Sequence, residues 1–344
     1  MAKEIRKTLP TISVCIATYN SGKTLERCLK LIRQQDYPSN KIEILLGDGG
    51  STDNTLAIAK KFKAKVLHVP SEKQHAEYNR GVAFNAAKGE LALILDHDNF
   101  LPSRKWLKQM VEPLLVHKDV LASTTCYYHY DRKYLLLDRY FALFGTSEPL
   151  PYYLHKADRL RQYEKKWTLL GESEDCGKYY KVKFEHDPRK FPSIGSNGTL
   201  MRRELVIKHA HADADHHYPI DVLFDMVLEG YDTFAFVKNS VIHLTHSRGI
   251  VEFFKRRIRF VNKYHFEEQS KRRWSVVMKG DELNLGLYIL YSLTLVKPTY
   301  DAFVGFLRIP DIAWFVHPFM CFGTTVIYGY ATLMQMRKHK HIGI

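Results

Sequence analysis

Thr11-Ile-Ser-Val-Cys-Ile-Ala17 is a short apolar, β-branched run that breaks into Thr18-Tyr-Asn-Ser-Gly22. The run predicts a buried strand and the polar cluster its turn. Leu25, Cys28, Leu29 and Ile32 then recur at helical spacing, so residues 23–34 read as an amphipathic helix lying on that strand. Ile42–Leu46 is a second strand, followed by Gly47-Asp-Gly-Gly-Ser-Thr-Asp-Asn-Thr55. There Ser51, Thr52 or Asp53 can cap a helix that reaches Phe62, which leaves Asp48 without an evident structural task. Lys65–Val69, a helix over 76–87 and the strand Leu91–Leu95 continue the alternation. Alternating strands and helices predict an α/β fold with a mostly parallel sheet, whose ligand site lies beyond the carboxyl ends of its strands. The polar clusters after strands one, two and four all fall there.

From about 116 to 190 the alternation is lost. Cys126-Tyr-Tyr-His-Tyr130, an amphipathic Leu135–Phe144 and a charged, irregular stretch follow one another, as expected of an insertion or a substrate-facing subdomain. Regular patterning returns at Ile194-Gly-Ser-Asn-Gly198. A helix over Pro219–Glu229 stopped by Gly230, a strand over Phe234–Val241 and a basic helix over Val251–Tyr264 come next.

The composition (344 residues, 45% apolar, 26% charged, no low-complexity tract) excludes a disordered, collagen-like or disulfide-framework protein. A net charge of +14 calls for an anionic partner: nucleotide or lipid phosphates, a membrane surface or nucleic acid. No RRM, helix-turn-helix or zinc-finger pattern accompanies the charge, so nucleic acid is not the expected partner. Five scattered cysteines without a CxxC pair point to a reducing compartment. The first residues lack a signal-peptide pattern.

The strongest chemical signal is Asp96-His97-Asp98, closing the fourth strand. Carboxylates at i and i+2 of an extended chain project from one side and can share a divalent cation with diphosphate oxygens. Asp48 ends the second strand in the same row, where a carboxylate can accept a nucleobase N–H or a ribose hydroxyl. Asp221 opens the helix ended by Gly230, where the helix dipole keeps a carboxylate charged. Asp225, one turn on, is the fallback for the same role, with Asp213 and Asp215 as outside candidates. His209, His211, His216 and His217, with those two acids, have no metal-ligand spacing and read as a solvated loop. Ala17–Thr24 also satisfies a relaxed P-loop pattern that would make Lys23 essential, although Ala17 stands where such a loop usually has Gly.

Five motifs in order, Ile12–Asn20, Gly47–Thr55, Asn79-Arg-Gly81, Ala87-Lys-Gly-Glu90 and Leu95-Asp-His-Asp98, resemble those of family 2 glycosyltransferases over about residues 11–250. The resemblance implies the GT-A fold and inverting sugar transfer from a nucleotide-diphosphate sugar with Mn²⁺ or Mg²⁺. It places base recognition on Asp48, the nucleoside against Thr18, Tyr19 and Asn20, the metal on Asp96 and Asp98, and the catalytic base on Asp221. A histidine near the metal corresponds to His243 or, by preference, His246. Arg256-Arg-Ile-Arg259-Phe260 is similar to the Gln-x-x-Arg-Trp element of processive relatives. Arg256 and Arg259 there bind the phosphate of donor or lipid, or form the solvated face of a basic helix. Gly195 and Asn197, with Arg202 and Arg203, are expected on the acceptor side. Gly49 replaces the family's second acid and Tyr78 its Arg before the Asn. The implied organisation is a glycosyltransferase domain over 1–250, with a nucleotide-sugar half over 1–115 and an acceptor half over 116–250, then a basic and apolar region over 251–344.

Ile312–Met336 has no Asp, Glu, Lys or Arg in 25 residues and is followed by Arg337-Lys-His-Lys-His341. It is long enough to cross about 30 Å of hydrocarbon, with Leu283–Leu307 as a partner crossing interrupted by Lys297 and Pro298. Helices lying in the interface are the competing membrane arrangement, and helices that close a soluble core or a dimer are the alternative without a membrane. Either membrane arrangement predicts an enzyme attached through its C-terminal region to the cytoplasmic face of the cell membrane, contacting membrane lipids. It would serve a lipid-linked or glycan acceptor, a polyprenyl phosphate among the candidates, and truncation near Asp281 is expected to release it.

Overall fold

The computed structural model describes residues 9–146, 148–245, 249–263 and 271–342. The chain divides into two compact units. The first comprises Met1–Cys126, Gly171–His186 and Ile194–His243, and the second Tyr127–Leu170, Asp187–Ser193 and Leu244–Ile344. Residues 127–170, which the sequence pattern groups with an acceptor half, thus fold with the C-terminal segment.

Ten strands form the sheet: β1 (Ile12–Thr18), β2 (Ile42–Asp48), β3 (Lys65–His68), β4 (Leu91–Ile94), β5 (Asn99–Phe100), β6 (Val120–Tyr128), β7 (Glu172–Asp175), β8 (Tyr179–Lys183), β9 (Thr199–Arg202) and β10 (Thr233–His243). Their order is β3-β2-β1-β4-β9-β6-β10-β8-β7, with β5 on β10. All seven residues of β1 are buried, which is why its sequence is an unbroken apolar run rather than an alternation. The sheet is parallel from β3 to β4 and antiparallel where β9 meets β4 and β6, and β8 meets β10 and β7. The α/β expectation is met: the strands from β3 to β4 are parallel, and β9 runs against both β4 and β6. The β7–β8 hairpin was hidden because Glu172-Ser-Glu-Asp175 is an exposed edge strand without apolar alternation.

The helix Gly22–Arg33 buries Leu25, Cys28, Leu29 and Ile32, the stripe read from sequence. Gly230 ends the helix Pro219–Leu228 at φ +90°, a conformation that glycine adopts at little cost.

The second unit is helical, with Leu136–Phe144, Pro149–Tyr153, Ile250–Val261, Glu282–Thr294, Val296–Arg308 and His317–Ile342. Its core joins Tyr140, Phe141 and Phe144 to Phe253, Ala302, Trp314 and Met320. A Cβ at Gly305 would strike the Trp314 ring, so this glycine permits the helix contact. The apolar C-terminal region therefore forms part of a core, and cutting near Asp281 would strip Tyr140, Phe141 and Phe144 of the cover that Ala302, Trp314 and Met320 give them.

Leu283–Leu307 is not one crossing. Leu295, at φ +60°, breaks it into two helices of 13 residues, each about 20 Å long and short of the roughly 30 Å needed. Among the described residues, Ile312–Met334 is long and apolar enough to cross a membrane by length and composition, and half of it is buried within the protein.

Candidate active site

Parallel pairing sets Thr18 opposite Asp48, at the carboxyl edge where a sheet of this kind receives its ligand. Thr18 Oγ1 donates to Asp48 Oδ1 (2.8 Å), as does Ser51 Oγ (2.6 Å), while the backbone N–H groups of Gly50 (3.1 Å) and Ser51 (2.9 Å) donate to Oδ2. Asp48 is buried and organises the turn after β2, so it does have a structural task. Its acceptor sites are filled, and a nucleobase N–H reaches it only by displacing one of these donors.

Asn20, at φ +49°, takes the N–H of Thr52 on Oδ1 (2.8 Å) and donates its own N–H to Ser51 Oγ (2.9 Å). It clasps the first turn to the second. Tyr19 beside it is 52% exposed, the one side chain of this loop with a ring face open to a ligand. Asp53 Oδ2 accepts from Gly22 N (3.0 Å) and Oδ1 from Thr55 N (3.0 Å). A carboxylate thus occupies the amino end of the helix where a P-loop would cradle phosphate, and the P-loop reading fails there; Lys23 is exposed to solvent.

Asp96 and Asp98 lie in a turn between β4 and β5, closed by Asn99 N–H to the Asp96 carbonyl (3.0 Å), rather than along an extended strand. Arg80 Nη2 donates to Asp96 Oδ1 (2.6 Å) and Ser196 Oγ to Oδ2 (2.6 Å). Burial opposes the charge of Asp96, but Arg80 and these two hydrogen bonds outweigh it and hold the carboxyl below its ordinary range. Asp98 is half-buried and accepts one 3.4 Å bond, from Asn99 Nδ2, among the described residues. His97 turns aside to Thr24 Oγ1 (2.7 Å).

Arg80 is the functional residue that the sequence reading passed over. It is buried, also pairs with Glu77, and stands on the helix Ala76–Asn85. Asn79, its neighbour, donates Nδ2 to the Thr18 carbonyl (3.2 Å). A Cβ at Gly47 would strike the Asn79 carbonyl, so the helix approaches β2 only because glycine stands there. A buried arginine inside an Asn-Arg-Gly motif was the available signal.

The segment Ile194–Gly198 lies beside this turn, through Ser196 and through Gly198 N–H to the Ile94 carbonyl (3.1 Å). Gly195 and Asn197 flank Ser196 and so stand near Asp96. Arg202 does not. In the antiparallel register it faces Leu91, at the opposite end of β4, and its guanidinium binds the Val120, Leu114 and His117 carbonyls. Arg203, next in the chain, leaves for the same end.

Asp221 is fully buried in the first turn of the helix Pro219–Leu228. Asp225 accepts the His211 N–H (3.1 Å), Asp213 pairs with His216 (2.9 Å) and Asp215 with Lys73 (3.3 Å). The loop before Asp221 packs on the helix of Arg80: His217 lies against Phe84 (4.7 Å between ring centroids), and Asn85 Nδ2 donates to the Ala212 carbonyl (2.7 Å). Among the described residues no three His, Cys, Asp or Glu side chains form a metal-binding group; the histidine-rich stretch is not uniformly a solvated loop, since His209 ends the helix Arg203–His209 and His217 is buried. His243 pairs with Asn99 across β10 and β5. His246 lies outside the described residues. Arg256 and Arg259 are exposed on the helix Ile250–Val261 of the second unit, with Arg256 Nη1 donating to the Thr245 carbonyl (3.0 Å).

Residues 13–186 match the family model described as Glycosyl transferase family 2. Glycosyltransferase AglE of Haloferax volcanii is 32% identical over 111 residues, 31% of this chain and 36% of that protein. Glycosyltransferase GlyG of Streptococcus pneumoniae is 35% identical over 128 residues, 35% of this chain and 40% of that protein. The chain thus covers less than half the length of these curated relatives. Among solved structures, the mannosyltransferase PcManGT from Pyrobaculum calidifontis in complex with GDP-Man and Mn²⁺ is similar in fold, with a TM-score of 0.52 at 17% identity over 93% of this chain and 87% of that one. The fold is of the GT-A kind that the resemblance implied.

Proposed function

The chain belongs to glycosyl transferase family 2, and on that footing we propose that it moves a sugar from a nucleoside-diphosphate donor to a membrane-located acceptor, lipid-linked or glycan, with inversion at the anomeric carbon. The observation that carries this reading is the unequal pair in the turn after β4. Asp96 is held by Arg80 and Ser196, while Asp98 keeps most of its acceptor capacity. Hard carboxylate oxygens suit Mg²⁺ or Mn²⁺, so Asp98, with Asp96 beside it, would hold the cation and leave its other positions to phosphates and water. A cation held there would supply positive charge against the departing diphosphate. Tyr19 covers the nucleobase, and Thr18, Asn20 and Asp48 keep its loop in shape.

The acceptor oxygen attacks the anomeric carbon, the bond from that carbon to the diphosphate breaks, and the electron pair leaves on the phosphate oxygen. Asp221 takes the acceptor proton. Because Asp221 is fully buried, acceptor entry must shift the loop 213–218. A phosphate acceptor is the second reading, favoured by the exposed Arg256 and Arg259, and it needs no base.

Membrane attachment is supported by Leu307 and Phe319, 79% and 65% exposed, and by the exposed Lys255, Arg256 and Arg259. Exposed apolar side chains and exposed cations each suit an anionic bilayer surface, here the cytoplasmic face of the cell membrane. The short helices of residues 282–308 favour lying in the interface over a two-helix crossing. The test is sugar transfer from a panel of UDP- and GDP-sugars to extracted lipid-linked acceptors, with Mn²⁺, Mg²⁺ or EDTA. Undiminished transfer in EDTA would refute the metal role. A full-length protein that ignores anionic liposomes at physiological salt would refute the membrane role.

A further inference from the structure

The second unit encloses a cavity of about 530 Å³, within the roughly 300–1,000 Å³ range of small-molecule sites. Tyr152, Tyr153, Tyr288 and Tyr291 supply its aromatic wall. Tyr153 is fixed from behind: its hydroxyl donates to Asp301 Oδ2 (3.0 Å), and its ring is nearly parallel to His317, at 11° with centroids 5.9 Å apart. Tyr152 meets Tyr153 edge-on at 5.1 Å. Such rings are rigid before any ligand arrives, so little side-chain ordering opposes binding.

The charges around the cavity are already paired. Arg161 donates Nη2 to Glu164 (2.7 Å) and Nη1 to the Tyr152 hydroxyl (2.6 Å). Lys297 pairs with the buried Asp301, and Arg159 with the buried Asp158. A phosphate would have to compete with a carboxylate for each cation. A neutral ring bearing hydroxyls would not: fixed donors and acceptors meet its hydroxyls, as Asn284 of the lining can, while its C–H face lies on a tyrosine.

One helix joins this cavity to an apolar exterior. Glu282–Thr294 contributes Asn284, Leu287, Tyr288 and Tyr291 to the lining, and turns Leu283 and Leu293 outward at 75% and 57% exposure. A sugar head on a hydrocarbon anchor matches both faces. We propose that the cavity binds the neutral sugar ring of a glycolipid. The assignment of that glycolipid as acceptor rests on the proposed function, whereas the binding itself does not.

The test uses full-length protein and saturation-transfer NMR with the methyl β-glycosides of glucose, galactose and N-acetylglucosamine, and phosphatidylcholine vesicles with and without monogalactosyl diacylglycerol. Saturable binding of at least one sugar probe is expected, about tenfold or more weaker in Tyr291→Ala and nearly unchanged in Tyr291→Phe, which keeps the ring. Binding of the glycolipid vesicles alone identifies a lipid source, and binding of the free glycosides alone a soluble glycan; both support the site. No binding by any sugar probe, equal binding by Tyr291→Ala, or saturation by inorganic phosphate in place of sugar would overturn it. Donor turnover without sugar binding defeats this inference alone. Sugar binding by a protein that turns over no donor defeats the proposed function alone.

Discussion

Ser196 lies 100 residues from Asp96 in the chain, yet its hydroxyl donates a 2.6 Å hydrogen bond to Asp96 Oδ2. The other oxygen belongs to Arg80. The acid is thus set in place by two donors from different segments, one ahead of it in the chain and one far behind.

Ser196→Ala should leave Asp96 charged but less well oriented. The loss of one hydrogen bond to a charged group is worth roughly 1.5–3 kcal/mol, so the donor KM should rise at least several-fold with the fold intact. An unchanged KM would show that Arg80 alone orients the acid.

Arg80→Met removes the largest influence lowering the Asp96 pKa. A folded-state pKa held low keeps the carboxylate ionised down to acid pH; released, it rises. The acid limb of the kcat/KM profile should therefore move to higher pH in the variant. A limb that stays in place would mean that Asp96 does not govern it.

Asp98→Asn should abolish the Mn²⁺-dependent thermal shift and cost turnover by about 10²-fold or more. Asp96→Asn should also impair turnover, and its unfolding midpoint should fall as Arg80 loses a partner. Equal metal response in wild type and Asp98→Asn would remove the cation from this turn.

Asp221→Asn separates the two acceptor readings. With a hydroxyl acceptor, a loss of about 10²-fold or more is expected. Near-normal turnover on such an acceptor would exclude Asp221 as the base, whereas near-normal turnover on a polyprenyl phosphate is what that reading requires.

Lys156 is fully buried and donates to Asp281 Oδ2 (2.5 Å) and to the Val276 carbonyl (3.0 Å). Lys156→Met would strand a buried carboxylate, and about 3–5 kcal/mol of stability should be lost, read as a lower unfolding midpoint. The double variant Lys156→Met/Asp281→Asn should recover part of it. Truncation after Asp281 should give aggregation or loss of near-UV circular dichroism instead of a soluble enzyme.

Strong periodicity made the first unit legible. β1, β2 and β4 are buried runs, and the helix Gly22–Arg33 shows its apolar stripe openly. The carboxylates Asp48, Asp96 and Asp98 were legible as well, because the ends of parallel strands are where such sheets place chemistry. Arg202 was misplaced for a reason of the same kind: the antiparallel turn of β9 carries it to the far edge, and no local pattern records strand direction.

Local pattern, then, sufficed for the α/β alternation, the acidic row and the apolar character of residues 312–336, since each depends on spacing within one segment. It could not assign partners. Asp48 proved saturated by its own turn, Asp96 divided between Arg80 and Ser196, and the C-terminal helices part of a core with Tyr140 and Phe144. Those outcomes depend on which distant segments meet, and meeting is set by burial and by hydrogen-bond satisfaction across the whole chain.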